Sequence, residues 1–200
     1  DVMMPEMDGF DMCKRLKNDE RTSHIPIILI TARPGEESQL HGLDIGADDY
    51  LTKPFHFELL QLKIKNILYT RQKLKDQLLH NVLVLPDNNN MNSVDQQFLQ
   101  NAINAVKENI ENSAFGVEEF SNYFKMSRRN VLRKMKGITG LSINEYIRVV
   151  RLKESHNLLS QGKLNVSEVA YSVGFTDPKY FSNCFKKQFG KSPSDIIGKK

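Results

Sequence analysis

The sequence contains no apolar run longer than one strand and only two cysteines among its 200 residues. A helix that crosses a bilayer needs about 20 consecutive apolar residues, so no membrane-contacting segment is expected. The cysteines, Cys13 and Cys184, stand far apart in helical patterns, which predicts neither a disulfide nor a zinc site. The first ten residues also lack the basic and apolar regions of a signal peptide. Together these absences predict a soluble segment in a reducing cytoplasm.

Charge is distributed unevenly along the chain. Residues 1–120 hold 12 basic and 19 acidic side chains, a net charge of -7, whereas residues 121–200 hold 16 and 5, a net charge of +11. The overall charge of +4 conceals this difference. A strongly basic C-terminal part predicts a polyanionic partner for that part of the chain.

One pattern occurs twice in the basic part, at about 115–137 and 166–190: a short apolar helix, a tight turn, and a second helix rich in basic and amide residues. In the first copy Ser127 stands at the N-cap of the second helix. In the second copy Gly174 makes the turn, and Asp177 with Pro178 begins the second helix. Each second helix has an apolar face that can pack inward and a polar face that can project outward. This layout is typical of a helix-turn-helix DNA reader.

The two copies are separated by residues 142–160, which have apolar positions at helical spacing. At about 1.5 Å per residue, such a helix is roughly 28 Å long. Successive major-groove openings on one face of B-DNA are roughly 34 Å apart. The sequence therefore predicts a rod that holds two reading helices at neighbouring grooves of double-stranded DNA.

About the last 85 residues resemble the AraC/XylS family of transcription regulators. The resemblance is carried by a series of motifs in order: Leu141-Ser142, Glu145-Tyr146-Ile147-Arg148, Arg151-Leu152, Glu168-Val169-Ala170-Tyr171, Val173-Gly174-Phe175, Tyr180-Phe181-Ser182, Phe185-Lys186-Lys187 and Phe189-Gly190-Lys191-Ser192-Pro193. Two departures, Ser121 in place of the usual alanine and Ile196 in place of a frequent aromatic, concern packing more than reading.

The resemblance implies which side chains meet DNA. Base edges would meet Arg129, Asn130 and Arg133 from the first helix-turn-helix copy, and Lys179, Ser182 and Asn183 from the second copy. Arginine can grip guanine and asparagine can grip adenine, each with two hydrogen bonds. Phosphates would meet a second group, joined by main-chain N–H groups at the helix starts. This group comprises Ser127, Arg128, Lys134, Lys136, Lys186 and Lys187.

The first part of the chain resembles the C-terminal half of a two-component receiver domain. Three segments carry this resemblance: Asp1 to Gly9, an apolar strand from Ile25 to Ala32, and Ala47 to Phe55. It implies that Asp1 is the phosphoacceptor, that Thr31 and Lys53 support the phosphate, and that Tyr50 is the switch aromatic. It also implies a cis bond before Pro54 and a magnesium site to which Asp1 and the Met3 carbonyl contribute.

A complete receiver needs a five-stranded sheet and an acidic pair from its first strand, and the chain begins after both. We therefore expect an incomplete magnesium site, a segment that is not phosphorylated by itself, and a longer parent protein. Any kinase activity would belong to a missing N-terminal part, so the chain itself is not expected to be an enzyme. An aspartyl-phosphate phosphatase would also begin with aspartate, but it needs a second acid where Met3 stands.

The predicted organisation is mainly α: a truncated α/β, flavodoxin-like receiver remnant followed by an all-α double helix-turn-helix domain. The predicted parts are residues 1–69, a helical linker and polar turn at 70–92, and the DNA-binding domain at 93–200. Leu60, Ile64, Ile67, Leu74 and Leu78 form a heptad-like seam along the predicted helix 57–79. Up to Leu68 this seam is equally consistent with packing on the receiver sheet, whereas Leu74 and Leu78 predict contact with a second helix and hence a homodimer.

The order of parts resembles the C-terminal end of hybrid two-component regulators, in which sensor kinase and regulator share one chain. A histidine kinase would then supply the phosphoryl group. A stand-alone response regulator, or a dimerisation or phosphorelay module without specific DNA binding, remains an alternative.

Overall fold

A computed structural model describes residues 1–32, 36–80 and 93–197, with the backbone alone for 36–39, 74, 75 and 77–80. The chain forms two compact units. The first contains Asp1–Leu74 and residues 93–98, and the second contains residues 75–80 and 99–197. The predicted boundaries after residues 69 and 92 stay a prediction.

Among the described residues, most of the first unit consists of two strands that alternate with three helices, of which the third extends into the second unit. Its elements in chain order are α1 (Gly9–Asn18), β1 (Ile28–Thr31), α2 (Glu36–Asp44), β2 (Asp49–Thr52) and α3 (Phe57–His80). The strands are parallel, with Thr31 opposite Thr52. Their core consists of Val2, Cys13, Leu29, Ala47 and Tyr50.

The strand expected from Ile25 to Ala32 is shorter in the structure, where β1 runs from Ile28 to Thr31. The Val2 amide donates to the Ile30 carbonyl at 3.1 Å, so the start of the chain lies beside β1. Asp8 caps α1 by accepting from the Asp11 amide at 2.8 Å, as expected for a helix start. Asp48, the residue before β2, forms a 2.6 Å ion pair with the buried Lys17 and accepts a hydrogen bond from the Ile27 amide. These two contacts hold the start of β2 in place.

The second unit is helical. Its elements are α4 (Ser93–Glu108, whose first six residues belong to the first unit), α5 (Val117–Tyr123), α6 (Arg128–Thr139), α7 (Ile143–Gln161), α8 (Val166–Ser172), α9 (Pro178–Phe189) and a 3₁₀ turn (Pro193–Asp195). Helices α5, α6, α8 and α9 all contact α7. The remnant of a parallel sheet followed by an all-α domain confirms the predicted fold class.

Helix α7 begins at a capping box. The Glu145 amide donates to Ser142 Oγ at 3.3 Å, and the Ser142 amide donates to Glu145 Oε2 at 2.8 Å. These hydrogen bonds favour the ionised carboxylate and lower the pKa of Glu145. Gly162, with a φ of 67°, ends the helix in the left-handed conformation. Local chemistry therefore fixes both ends of the rod.

The apolar seam predicted along α3 is only partly buried. Leu60 and Ile67 are half-buried, whereas Ile64 is 43% exposed. The side chains of Leu74 and Leu78, and the polar turn at residues 86–90, lie outside the described residues. Among the described helices, none is both long enough and apolar enough to span a membrane.

Candidate nucleic-acid interface and phosphoacceptor site

Helix α6 presents its basic residues to solvent because its apolar residues pack inward. Val131 and Met135 are fully buried, and burying side chains of this size typically contributes about 1.5 to 3 kcal/mol each. Arg129 and Arg133, both predicted base readers, are exposed on the outer side. Ser127 caps the helix by accepting from the Asn130 amide at 3.4 Å.

Helix α9 repeats this arrangement with aromatic residues. Phe181 and Phe185 are fully buried, with ring centroids 5.7 Å apart, while Lys179 and Asn183 are exposed. Asp177 caps the helix by accepting from the Lys179 amide at 2.8 Å. The outward orientation of the polar face on both reading helices, predicted from their spacing, is thus observed.

Two predicted base readers are half-buried and engaged within their own helices. Asn130 Oδ1 accepts from Arg133 at 3.3 Å, an arrangement that holds the two side chains side by side. The Ser182 hydroxyl donates to the Pro178 carbonyl at 2.8 Å. In this arrangement Ser182 can offer only its acceptor lone pairs to a base.

The predicted phosphate contacts divide into exposed and buried side chains. Arg128, Lys136, Lys186 and Lys187 are exposed. Lys134, in contrast, has 0% exposure, because it lies on the same inward face of α6 as the buried Val131 and Met135. A fully buried ammonium group does not reach a DNA phosphate, so the prediction for Lys134 was wrong.

The two reading helices share α7 as a common support. Both α6 and α9 pack against it, and its 19 residues span roughly 28 Å at about 1.5 Å per residue. The predicted rod from 142 to 160 is therefore present, shifted by one residue, with Ser142 as its cap.

The surface of the second unit includes two residues of the family motifs that were not predicted to belong to the DNA site. Tyr180 is 51% exposed beside Lys179, and Arg148 of α7 donates to its hydroxyl at 3.5 Å. A tyrosine in the first turn of a reading helix, next to a predicted reader, was the available signal. The contact with Arg148 joins residues far apart in the sequence, so the pattern gave no indication of it.

In the first unit, the fold brings Asp1 and Lys53 together. Lys53 Nζ lies 2.7 Å from Asp1 Oδ2, and the Val2 amide donates to Asp1 Oδ1 at 2.9 Å. The Lys53 amide donates to the Thr31 carbonyl at 2.7 Å, which places Lys53 at the carboxyl end of the strands. The Lys53–Pro54 bond is cis, as the resemblance implied. This end of the sheet therefore places a cation on a partly exposed carboxylate.

Thr31 and Tyr50 are both buried, at 0% and 3% exposure, at the end of β1 and within β2. Among the described residues there is no group of three or more His, Cys, Asp or Glu side chains that could hold a metal. The Asp1 carboxylate alone does not fit a magnesium ion, and the assignment of Asp1 and the Met3 carbonyl as two of its ligands stays a prediction.

Comparison with protein families supports both halves of this description. Residues 1–65 match the response regulator receiver domain family, and residues 120–198 match a helix-turn-helix domain family of the AraC type. The chain therefore joins part of a receiver domain to an AraC-type helix-turn-helix domain. This combination supports a DNA-binding response regulator of a two-component system.

Particular relatives extend the similarity. Histidine kinase P4 of Formosa agariphila is 41% identical over 194 residues, which cover 97% of this chain and 14% of that protein. The Msm operon regulatory protein of Streptococcus mutans is 41% identical over 95 residues, 46% of this chain and 34% of that protein. The chain thus spans about a third or less of these relatives.

Among solved structures, the C-terminal domain of the two-component response regulator yesN from Fusobacterium nucleatum is 25% identical. The match covers 50% of this chain and 97% of that chain, with a TM-score of 0.46.

Proposed function

We propose that the chain binds specific sequences of double-stranded DNA through α6 and α9, as the output end of a phosphorelay regulator. The observation that carries the proposal is the repeated outward orientation of basic and amide side chains on two helices that share the α7 support. The alignment of nearly the whole chain with a histidine kinase favours a hybrid sensor kinase and regulator as the parent protein.

Base reading is assigned to Arg129, Asn130 and Arg133 on α6, and to Lys179, Ser182 and Asn183 on α9. Arg133 is the strongest candidate on α6, because it is exposed and its neighbour Asn130 orients it. An arginine that bonds to both acceptor atoms of guanine typically contributes about 1 to 3 kcal/mol of discrimination.

Positioning on the phosphates is assigned to Arg128, Lys136, Lys186 and Lys187, which are exposed, and to the capped helix start at Ser127. These contacts carry no sequence information but fix the register of the protein on the duplex. A net charge of +11 over residues 121–200 favours approach to DNA before any specific contact forms.

Control of DNA binding is assigned to the receiver part. In an intact receiver Asp1 would take the phosphoryl group from a histidine kinase, and the adjacent Lys53 would balance the added negative charge. Support of the phosphate is also assigned to Thr31, and the role of switch aromatic to Tyr50, both of which are buried. Magnesium would assist when the remaining ligands are present. The target DNA of such a regulator lies in the cytoplasm, where we place the chain.

The central experiment is selection of bound duplexes from a random pool, followed by titration of the selected and of a scrambled duplex. Arg133→Ala is expected to weaken the selected duplex by about 1 to 3 kcal/mol and to relax preference at one base pair. Lys186→Ala serves as its matched control and is expected to weaken both duplexes alike. Equal losses on both duplexes for Arg133→Ala would contradict the assignment.

Homodimerisation through helix 57–79 is a second proposal. It is favoured by the exposed apolar side chains of α3, namely Phe57, Leu59, Leu62, Ile64, Leu68 and Tyr69. Sedimentation equilibrium should then show a dimer that Leu62→Glu dissociates, whereas Gln61→Glu, at a polar and exposed neighbour, should leave it intact. A monomeric wild-type chain at high micromolar concentration would end this proposal.

A further inference from the structure

Arg151 lies near the middle of α7 and is only 8% exposed, although it carries a full guanidinium group. Its two terminal nitrogens bond to main-chain carbonyls that are distant in sequence. Nη2–H donates to the Asn112 carbonyl at 2.6 Å, after the end of α4, and Nη1–H donates to the Gly174 carbonyl at 3.3 Å, between α8 and α9. One side chain therefore joins three segments of the second unit.

The turn at Gly174 is shaped to receive this side chain. Gly174 has a φ of 76°, and a Cβ built on it would lie 2.5 Å from the Ile110 carbonyl oxygen and 2.9 Å from Arg151 Cζ. Any larger residue would displace the turn from the guanidinium. Gly174 comes three residues before Asp177, the cap of α9, so the position of this turn sets where α9 begins.

The chemistry of Arg151 suits positioning more than simple stabilisation. Burial lowers the pKa of Arg151, and among the described residues no carboxylate forms an ion pair with it. An apolar side chain of similar size would avoid the cost of desolvating a charge. What an apolar side chain cannot do is bond two separate carbonyls at a fixed angle, which the planar guanidinium does.

We propose that Arg151 is a positioning residue for the second reading helix. It fixes the Gly174 turn against α7 and the segment after α4, and thereby sets the orientation of Lys179 and Asn183 toward DNA. Its described hydrogen bonds do not reach α6, so the first reading helix is expected to keep its orientation without them. This inference rests on the proposed function for its DNA readout, but its structural content can be tested without DNA.

The test compares Arg151→Met and Arg151→Lys in the 200-residue chain with Ser155→Ala. Ser155 is a matched control because it is fully buried on the same helix and donates only within α7, to the Leu152 carbonyl at 2.7 Å. The probe is a duplex selected by the wild-type chain. Hydroxyl-radical footprinting reports which segments of the duplex the protein protects. The segment that loses protection in Arg133→Ala is the one that α6 contacts, and the segment that loses protection in Asn183→Ala is the one that α9 contacts.

Arg151→Met is expected to lower affinity about tenfold, with protection lost over the α9 segment and kept over the α6 segment. Arg151→Lys should be intermediate, since its single nitrogen retains the charge but cannot span both carbonyls. Ser155→Ala should leave the relative protection of the two DNA segments unchanged. Hydrogen exchange should show faster exchange of the amides in the first turn of α9, but not of α6, in the Met variant.

Equal loss over both segments, or a footprint for Ser155→Ala like that of Arg151→Met, would overturn the proposal. If Arg151→Met does not fold, the footprint and exchange of Arg151→Lys decide by the same criteria. If the wild-type chain protects no specific sequence, the proposed function fails, and hydrogen exchange still decides the role of Arg151.

Discussion

Replacing the buried Lys153 by methionine should stabilise the protein at neutral pH. Lys153 lies on α7 with 5% exposure, and burial lowers its pKa from 10.5 to about 8. At about 1.36 kcal/mol per pKa unit, a shift of this size corresponds to about 3 kcal/mol of preference for the unfolded state, where the amine is solvated. Partial access of water reduces this, so we expect Lys153→Met to raise the free energy of unfolding by about 1 to 3 kcal/mol at pH 7.

The sign of the pH dependence follows from the direction of the pKa shift. Between pH 8 and 10.5 the unfolded chain binds more protons at Lys153 than the folded chain does. The contribution of Lys153 to the free energy of unfolding of the wild type therefore rises with pH over this range. The penalty is therefore complete below about pH 8 and disappears above about pH 10.5. The difference between the methionine variant and wild type should fall to less than about half between pH 7 and 9.5.

Urea denaturation at pH 7 and 9.5, followed by circular dichroism, measures this difference. Lys163→Met is the control, because Lys163 is exposed just beyond the end of α7 and its removal relieves no burial. It should change the free energy of unfolding by less than about 0.5 kcal/mol at either pH. If Lys153→Met destabilises the chain at pH 7, or if its effect does not depend on pH, the argument from desolvation is refuted.

Three further outcomes follow from the second unit. Lys136→Met should reduce the magnitude of the slope of log affinity against log salt by about 1, whereas Lys134→Met should leave the slope unchanged. The same reduction in both variants would show that Lys134 does contact a phosphate. Gly174→Ala should lower the free energy of unfolding by about 2 to 4 kcal/mol, because its Cβ would overlap the Ile110 carbonyl, and a neutral effect in thermal denaturation would exclude that close approach. Ser142→Ala should cost about 1 kcal/mol by removing the cap of α7, and an unchanged urea midpoint would show that the cap is dispensable.

The reading helices could be predicted from sequence because their signals are local. Ser127 and Asp177 were recognised as caps from their residue types and spacing, and both accept the expected main-chain N–H groups. The alternation of apolar and polar positions likewise predicted the buried faces of α6 and α9. At Lys134 the residue type suggested a DNA contact, but the helical position of the residue decided its burial.

The contacts that join distant segments could not be predicted in the same way. Arg151 was recognised only as part of a family motif, because its bonds to Asn112 and Gly174 depend on how three segments pack in space. The ion pair between Lys17 and Asp48 also joins residues far apart in the chain. Periodicity identifies which face of a helix is buried, but it does not identify the carbonyl that a buried cation will meet.

The basic character of the second unit therefore has two separate causes. Of the 16 basic residues between 121 and 200, Lys134, Arg151 and Lys153 are buried, so they do not contribute to the surface that faces DNA. The four exposed side chains that we assign to phosphates would give a slope of log affinity against log salt of about -4, and the three cations that we assign to base reading would bring it to about -6. A slope near -10, as the net charge of +11 would suggest, requires cations that the assigned interface does not contain. The salt titration thus distinguishes a two-helix interface from diffuse binding by the whole basic surface.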